Sequence, residues 1–272
     1  MPEWFTQLSP WVQALLAGGF TWVMTLLGAT LVLFKRSLPP ALDDAMLGFA
    51  GGVMIAASFW SLLAPGIEIA KSSAGPPAWL VAAGGFLLGA AVLRGLDALV
   101  PHLHPALQHS EGPRSKLKQS TLLFLAMTIH NIPEGLAVGV AFGAAAGGAD
   151  FALGGNYASA IALAAGIGIQ NLPEGISVAM PMRRAGLSRW KCFHVGHLSA
   201  IVEPVAALLG AWLVTQVGII LPWALCFAAG AMIFVVIEEL IPESQANRRI
   251  DLSTLSCIVG FTLMMILDVA LG

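Results

Sequence analysis

Long apolar runs alternate along the chain with short polar or Pro/Gly-containing breaks. A helix that crosses the hydrocarbon core of a bilayer needs about 20 mostly apolar residues. The runs therefore predict eight membrane-spanning helices, over residues 11–34, 42–70, 78–100, 118–146, 156–182, 189–216, 219–241 and 251–271. A membrane β-barrel would instead show strands of about ten alternating apolar and polar residues. The expected fold is thus an all-α polytopic membrane protein, with residues 1–272 forming a single transmembrane domain.

Composition supports a lipid environment. Only 10% of the residues are charged and 57% are hydrophobic, whereas soluble domains carry about 25% charged residues. The net charge of −2 and the lack of a basic tail give no support for nucleic-acid binding. The three cysteines, Cys192, Cys226 and Cys257, form no CxxC pair and are expected to be free thiols packed in helices.

The basic residues predict the orientation. The breaks between the predicted helices can be numbered one to seven in chain order. Lys71 falls in the second break, and the other Lys and Arg residues lie in or beside the first, third, fifth and seventh breaks. Basic residues favour the cytoplasmic side of a membrane. We therefore expect a multi-pass protein of the cell membrane, in a bacterium the inner membrane, with both termini extracytoplasmic.

Glycines recur at four-residue spacing in three predicted helices. They are Gly48 and Gly52, Gly85 and Gly89, and then Gly139, Gly143 and Gly147. Small residues at this spacing let helix backbones approach closely in lipid. We interpret these rows as packing surfaces between helices.

The predicted fourth and fifth helices contain near-copies of one polar motif. The first is HNIPEG at residues 130–135, and the second is QNLPEG at residues 170–175. Consecutive membrane helices are antiparallel, and positions i, i+3 and i+4 of a helix share a face. The motif residues should therefore cluster on facing sides of two helices, where Pro133 and Pro173 would kink them and free backbone carbonyls.

Charged groups inside membrane helices are costly and usually functional. Two carboxylates, one imidazole and several amide oxygens form a ligand set that suits Zn²⁺, Fe²⁺ or Mn²⁺ better than Cu⁺. A purely structural role in holding two helices together is the alternative, and the repeat of N-x-P-E-G argues against it.

Further candidates surround this pair. Glu203 precedes a proline that should interrupt the sixth helix, and we interpret it as a third ligand. Glu238 or Glu239 could serve as an exit ligand or a proton acceptor. His197 lies near the inner surface and could handle metal, and Glu68 at an outer helix end could attract cations. Met54 would ordinarily be core packing.

The paired motifs resemble those of the ZIP family of divalent-metal transporters, most closely its GufA-like branch. The supporting segments are GFAGGVMIAASFWSLLAPGIE, GHLSAIVEP, FAAGAMIFVVIEELIPE and GFTLMMILDVALG, so the resemblance spans nearly the whole chain. It implies a ZIP-type bundle of eight helices with outward termini and a two-metal centre between helices 4 and 5. It also implies alternating access by sliding of helix bundles, and often a homodimer.

The resemblance also implies the ligands of each metal position. The first position would use Met54, His130, Glu134, Gln170, Glu174 and Glu203. The second would use Asn131, Glu134, Asn171, Glu174 and Glu203. This sequence departs from the family where many members have His instead of Gln170, some have Asp instead of Asn171, and some have His-Glu instead of Glu238-Glu239.

The leading hypothesis is transport of Zn²⁺ into the cytoplasm, with Fe²⁺, Mn²⁺ and Cd²⁺ as further cargo candidates. A cation or proton channel with a structural metal is the alternative. A membrane-embedded hydrolase is disfavoured because the sequence has no HExxH motif and no Ser or Cys nucleophile beside the histidine. We therefore expect no enzymatic activity, and the expected partners are divalent metal ions and the lipid bilayer.

Overall fold

Eight long helices dominate the computed structural model, which describes residues 3–73, 75–104, 109–111, 119–146, 157–184 and 186–271. The helices are α1 (Pro10–Phe34), α2 (Pro40–Ser72), α3 (Ala78–Leu99), α4 (Gln119–Ala146), α5 (Tyr157–Arg184), α6 (Arg189–Gln216), α7 (Leu221–Ser244) and α8 (Ile250–Leu271). Every end lies within three residues of its predicted position. Pro10 and Pro40 each begin a helix. The first N–H groups of a helix have no intrahelical acceptor, so the N–H that proline lacks costs no helical hydrogen bond there.

Among the described residues, seven of these helices are long and apolar enough to cross a membrane. The exception is α5, which has 28 residues but carries the polar QNLPEG segment in its middle. The structure is thus that of an all-α polytopic membrane protein. The eighth crossing, by α5, stays a prediction.

The third inter-helix segment contains a short hairpin that the sequence did not predict. Strands β1 (His102–His104) and β2 (His109–Glu111) pair antiparallel, with His104 opposite His109. Two other short elements, a helix at Glu3–Thr6 and a 3₁₀ turn at Gly218–Ile220, flank the long helices. Some residues used for the sequence predictions lie outside the described part of the chain. They are Arg114, Lys116 and Lys118, which contribute to the predicted orientation, and Gly147 with the rest of the break between α4 and α5.

Two of the long helices contain a π-helical segment that ends two residues before a proline. In α2 this segment is Ser58–Leu63, ahead of Pro65, and in α7 it is Val236–Leu240, ahead of Pro242. Proline lacks the N–H that an α-helical turn requires, and the wider π turn shifts the local hydrogen-bond pattern. The segment in α7 carries Glu238 and Glu239.

The predicted interruption of α6 is present, slightly earlier than expected. Two helical segments, Arg189–Leu198 and Val202–Gln216, are separated by a turn at residues 199–201. Glu203 consequently lies in the first turn of the second segment. By contrast, α4 and α5 continue as helices through Pro133 and Pro173.

The helices pack in two groups. The first helix group consists of α1, α4, α5 and α6, and the second helix group consists of α2, α3, α7 and α8. The most extensive contacts lie within the groups, between α1 and α5, α4 and α6, α1 and α6, α2 and α8, and α3 and α7. Contacts of α2 with α5, α4 with α7, and α5 with α8 join the two groups.

Glycines make the contacts within each group close, as their spacing predicted. A Cβ at Gly52 would lie 1.9 Å from the Cys257 carbonyl oxygen of α8, and one at Gly89 would lie 2.0 Å from the Phe227 oxygen of α7. Gly48, Gly85, Gly139 and Gly143 likewise face neighbouring helices within 3.0 Å. Between the groups, a Cβ at Gly166 would meet the flexible Met264 side chain rather than backbone.

Candidate metal centre

The two motifs meet between α4 and α5, as their spacing predicted. His130 and Glu134 lie on one turn of α4, and Glu174 faces them from α5. One ligand atom from each of the three side chains lies within 4.8 Å of the others. All three are buried, with at most 1% of each residue exposed. This is the only such His/Cys/Asp/Glu group in the described part of the chain.

His130 is at the centre of this cluster. Its Nε2 lies 3.5 Å from Glu134 Oε1 and 3.5 Å from Glu174 Oε1. Its Nδ1 lies 3.5 Å from Glu239 Oε2, which reaches the cluster from the π-helical segment of α7. The imidazole therefore joins the first helix group to the second.

Two carboxamides connect the carboxylates. The Gln170 side-chain Nε2 donates to Glu134 Oε1 at 2.8 Å, and the Asn171 Nδ2 donates to Glu203 Oε2 at 2.8 Å. Asn171 Nδ2 also donates to the Thr21 carbonyl oxygen of α1 at 3.2 Å. Because both Asn171 amide protons have acceptors, its Oδ1 is left available as a ligand.

The glycine that ends each motif explains how α6 and α1 come so close. A Cβ at Gly135 would lie 2.4 Å from the Glu203 carbonyl oxygen, and one at Gly175 would lie 2.1 Å from the Thr25 oxygen. Only a glycine at these positions permits such backbone contacts. The NxPEG motif thus supplies both the candidate ligands and the space for the neighbouring helices.

Many polar atoms in the cluster have no hydrogen-bond partner. They are both ring nitrogens of His130, Glu134 Oε2, Gln170 Oε1, Asn171 Oδ1, both carboxylate oxygens of Glu174, and Glu203 Oε1. Buried polar groups are almost always paired, and an unpaired buried carboxylate is especially costly. Oxygen and imidazole nitrogen atoms of this kind are ligands for divalent cations. A cation bound among them would offset the clustered negative charge.

The remaining predicted ligands are buried nearby. Met54 is fully buried on α2. Its neighbour Val53 faces Gly166 of α5, one helical turn before Gln170. Asn131 is 2% exposed and follows His130 on α4. Glu203 is fully buried and interacts electrostatically with Glu134 and Glu174.

Of the four residues proposed for the transport path, two lie at the cluster and two make contacts elsewhere. Glu239 contacts His130, as described above, and Glu238 is half-buried beside it. The structure does not bring His197 or Glu68 to the cluster. The Nε2 of His197 lies 3.3 Å from His194 Nδ1. Glu68 is exposed and forms an ion pair with Lys71 at 2.6 Å.

The contribution of α1 was not found from the sequence. Thr21 and Thr25 are buried four residues apart in the middle of α1, and Thr21 orients Asn171 through its carbonyl oxygen. That pair of threonines was the available signal. Neutral hydroxyl residues are common in packed membrane helices, so the pattern alone does not indicate a site.

The fold and the buried donor cluster together define a polytopic membrane protein with a centre suited to divalent cations. A family model described as ZIP Zinc transporter matches residues 102–268. The chain belongs to the ZIP family.

Three relatives illustrate the extent of the similarity. The chain is 40% identical to Zinc transporter ZIP11 of Homo sapiens, covering 96% of this chain and 97% of that protein. It is 39% identical to Zinc transporter GufA of Myxococcus xanthus, covering 96% and 98%. It is 38% identical to Zinc transporter ZIPB of Bordetella bronchiseptica, covering 95% and 81%. The resemblance to the GufA-like branch is thereby confirmed.

Proposed function

We propose that this protein carries Zn²⁺ across the cell membrane into the cytoplasm through the cluster between α4 and α5. The main support for this proposal is the set of buried nitrogen and oxygen atoms without hydrogen-bond partners on His130, Glu134, Glu174 and their neighbours. In a low-dielectric interior these atoms would be costly unless a cation binds among them for part of the cycle. Membership of the ZIP family agrees with a transported rather than a permanently bound metal.

The donors fall into two sets that share Glu134, Glu174 and Glu203. One set adds His130, Gln170 and Met54, and the other adds Asn131 and Asn171. Three shared carboxylates could neutralise most of the charge of two divalent ions, which is the reason for proposing two metal positions. Since the second set contains only amides beside the carboxylates, it would bind metal more weakly than the first.

The donor chemistry favours a broad cargo range. One imidazole among oxygen donors suits Zn²⁺, but oxygen donors also accept Mn²⁺ and Fe²⁺. We therefore propose Zn²⁺ as the main cargo, with Fe²⁺, Mn²⁺ and Cd²⁺ as competing ions.

The two helix groups provide a route to alternating access. Glycine-mediated backbone contacts hold α1 to α5 and α4 to α6 inside the first group, and α2 to α8 and α3 to α7 inside the second. Most proposed ligands belong to the first group, whereas Met54 and Glu239 belong to the second. Sliding of one group past the other would change these contacts and expose the cluster to opposite sides in turn.

The experiment is zinc uptake into proteoliposomes by wild type and by the Glu134→Gln and Glu174→Gln variants. Each substitution keeps the side-chain shape and removes one ligand charge. We expect initial flux to fall by roughly a hundredfold, because losing one member of a buried charged cluster costs about 3 kcal/mol or more. Glu3→Gln, which changes an exposed carboxylate in the short helix Glu3–Thr6, is the matched control and should keep near-normal flux.

Two results would contradict this proposal. Saturable, near-normal uptake by both buried variants would mean that the cluster does not bind the cargo. Wild-type flux that rises with zinc concentration without saturating would indicate a channel instead of a carrier.

A further inference from the structure

An ion pair links the two helix groups away from the metal centre. Arg184, the last residue of α5, places its Nη1 2.9 Å from Oδ2 of Asp43 in the first turn of α2. The Arg184 side chain is 42% exposed and the Asp43 side chain is 13% exposed. Because α5 belongs to the first group and α2 to the second, this contact exists only while the two helix ends are adjacent.

Each partner is suited to its own helix end without the other. A cation at the last turn of α5 interacts favourably with the partial negative charge of the helix C-terminus. An anion in the first turn of α2 interacts favourably with the positive N-terminus. Arg184 can therefore separate from Asp43 and remain hydrated. Asp43 is only 13% exposed and its Oδ1 is buried without a hydrogen-bond partner, so after separation the N-terminus of α2 would supply most of its stabilisation.

The neighbouring charges make their contacts within their own parts of the chain. Asp44, next to Asp43, accepts from Asn247 at 2.8 Å and lies 3.8 Å from Arg249, all within the second group. Arg183, next to Arg184, donates to the Leu187 carbonyl oxygen that follows α5. Glu243 at the end of α7 is a further carboxylate that interacts electrostatically with Asp43. The crossing contact is thus specific to Asp43 and Arg184.

We propose that the Asp43–Arg184 pair is a latch that sets the relative position of the two helix groups and opens once in each transport cycle. The transport-cycle part rests on the proposed function. The latch positions the ligands indirectly, because α5 carries Gln170 and Glu174 while α2 carries Met54. A partly exposed pair changes a conformational equilibrium only modestly, so the latch can hold one position and still open rapidly.

The test measures the distance between the two helix ends by double electron–electron resonance in the full-length protein in liposomes. Spin labels are placed at the exposed positions Leu42→Cys and Ser188→Cys. The three native cysteines, Cys192, Cys226 and Cys257, are first replaced by alanine. We expect Arg184→Gln to lower the population of the short distance roughly two- to fivefold. Raising the salt from about 0.1 M to about 1 M should lower it in wild type but change the variant little.

Two matched variants separate the latch from a general effect of charge. Arg184→Lys should retain most of the short-distance population, because the charge remains at the same helix end. Arg183→Gln removes a neighbouring arginine without touching Asp43 and should leave the distribution unchanged. An unchanged distribution in Arg184→Gln, or an equal change in Arg183→Gln, would overturn the proposal.

Transport measurements keep this proposal separate from the metal-site proposal. Glu134→Gln should abolish zinc flux while leaving the short-distance population as in wild type. Normal flux in that variant would contradict the proposed function. The distance measurement in Arg184→Gln would still show whether the ion pair sets the relative position of the two helix groups. Arg184→Gln should bind zinc at the centre with an unchanged stoichiometry, and loss of that binding would mean that Arg184 supports the folded site rather than a latch.

Discussion

Gln170 is the candidate ligand that we expect to influence the choice of cargo most. Its amide supplies an uncharged oxygen where an imidazole would favour Zn²⁺ more strongly. In the structure its Nε2 donates to Glu134 and its Oε1 has no partner, so the oxygen is available as a ligand.

We expect Gln170→His to increase the discrimination between zinc and manganese. The half-saturating zinc concentration should fall, while the maximal rate should stay equal or decrease, because a carrier must also release its cargo. The measurement is competition of zinc uptake by manganese in both proteins. Unchanged discrimination would mean that residue 170 does not contact the metal.

Transport should slow as the pH on the uptake side falls. An imidazole or carboxylate binds a metal ion only when it is deprotonated, so protons should compete with the cation at the proposed site. The measurement is initial zinc flux over a pH series at fixed free zinc. A rate that rose steadily with acidity would instead favour proton co-transport.

For individual residues, the sequence predicted which side chains of the two motifs cluster better than it predicted their hydrogen bonds. The motif spacing placed His130, Glu134 and Glu174 together, because two antiparallel helices with copies of one motif must bring them close. It did not reveal that Thr21 orients Asn171, or that Glu239 reaches His130 from α7. Those contacts depend on helix rotation and packing, which spacing along the chain does not specify.

Individual helices depend on glycine for their close approach within each group. A Cβ at Gly28 of α1 would lie 2.0 Å from the Leu172 carbonyl oxygen of α5, within the QNLPEG motif. A Cβ at Gly19 on the same helix would meet nothing within 4 Å. These two positions form a matched pair for testing how α1 supports the centre.

We expect Gly28→Ala to destabilise the protein by about 1–3 kcal/mol, because two backbones must move apart. Gly19→Ala should be neutral or slightly stabilising, since alanine favours helix more than glycine. The measurement is the thermal unfolding midpoint of each purified variant in detergent. Equal midpoints for the two variants would show that the α1–α5 contact can relax at no cost.

The sequence predicted neither the short hairpin nor the π-helical segments of α2 and α7. Proline at Pro65 and Pro242 was visible in the sequence, and a proline inside a helix usually indicates a kink. The same residue type in α4 and α5 leaves the helices continuous. Which response occurs depends on the neighbouring helices that accommodate the altered backbone.

For the whole molecule, the distribution of basic residues predicts the topology. We expect alkaline phosphatase fused to either terminus to be active, because both termini should lie outside the cytoplasm. Green fluorescent protein inserted in the break after α5 should fluoresce, because that break should lie inside. The measurement uses alkaline phosphatase and green fluorescent protein fusions in bacterial cells. Termini on opposite sides would exclude an even number of crossings, and with it a membrane-spanning α5.

The sequence by itself determined the membrane class, the helix positions within three residues, the two motifs and the glycine rows. Each of these follows from local composition and helical periodicity. The tertiary structure alone decided the two helix groups, the reach of Glu239 to His130 and the ion pair between Asp43 and Arg184. These contacts join residues far apart in the chain, and their formation depends on how side-chain shapes and backbone approach fix the packing of eight helices.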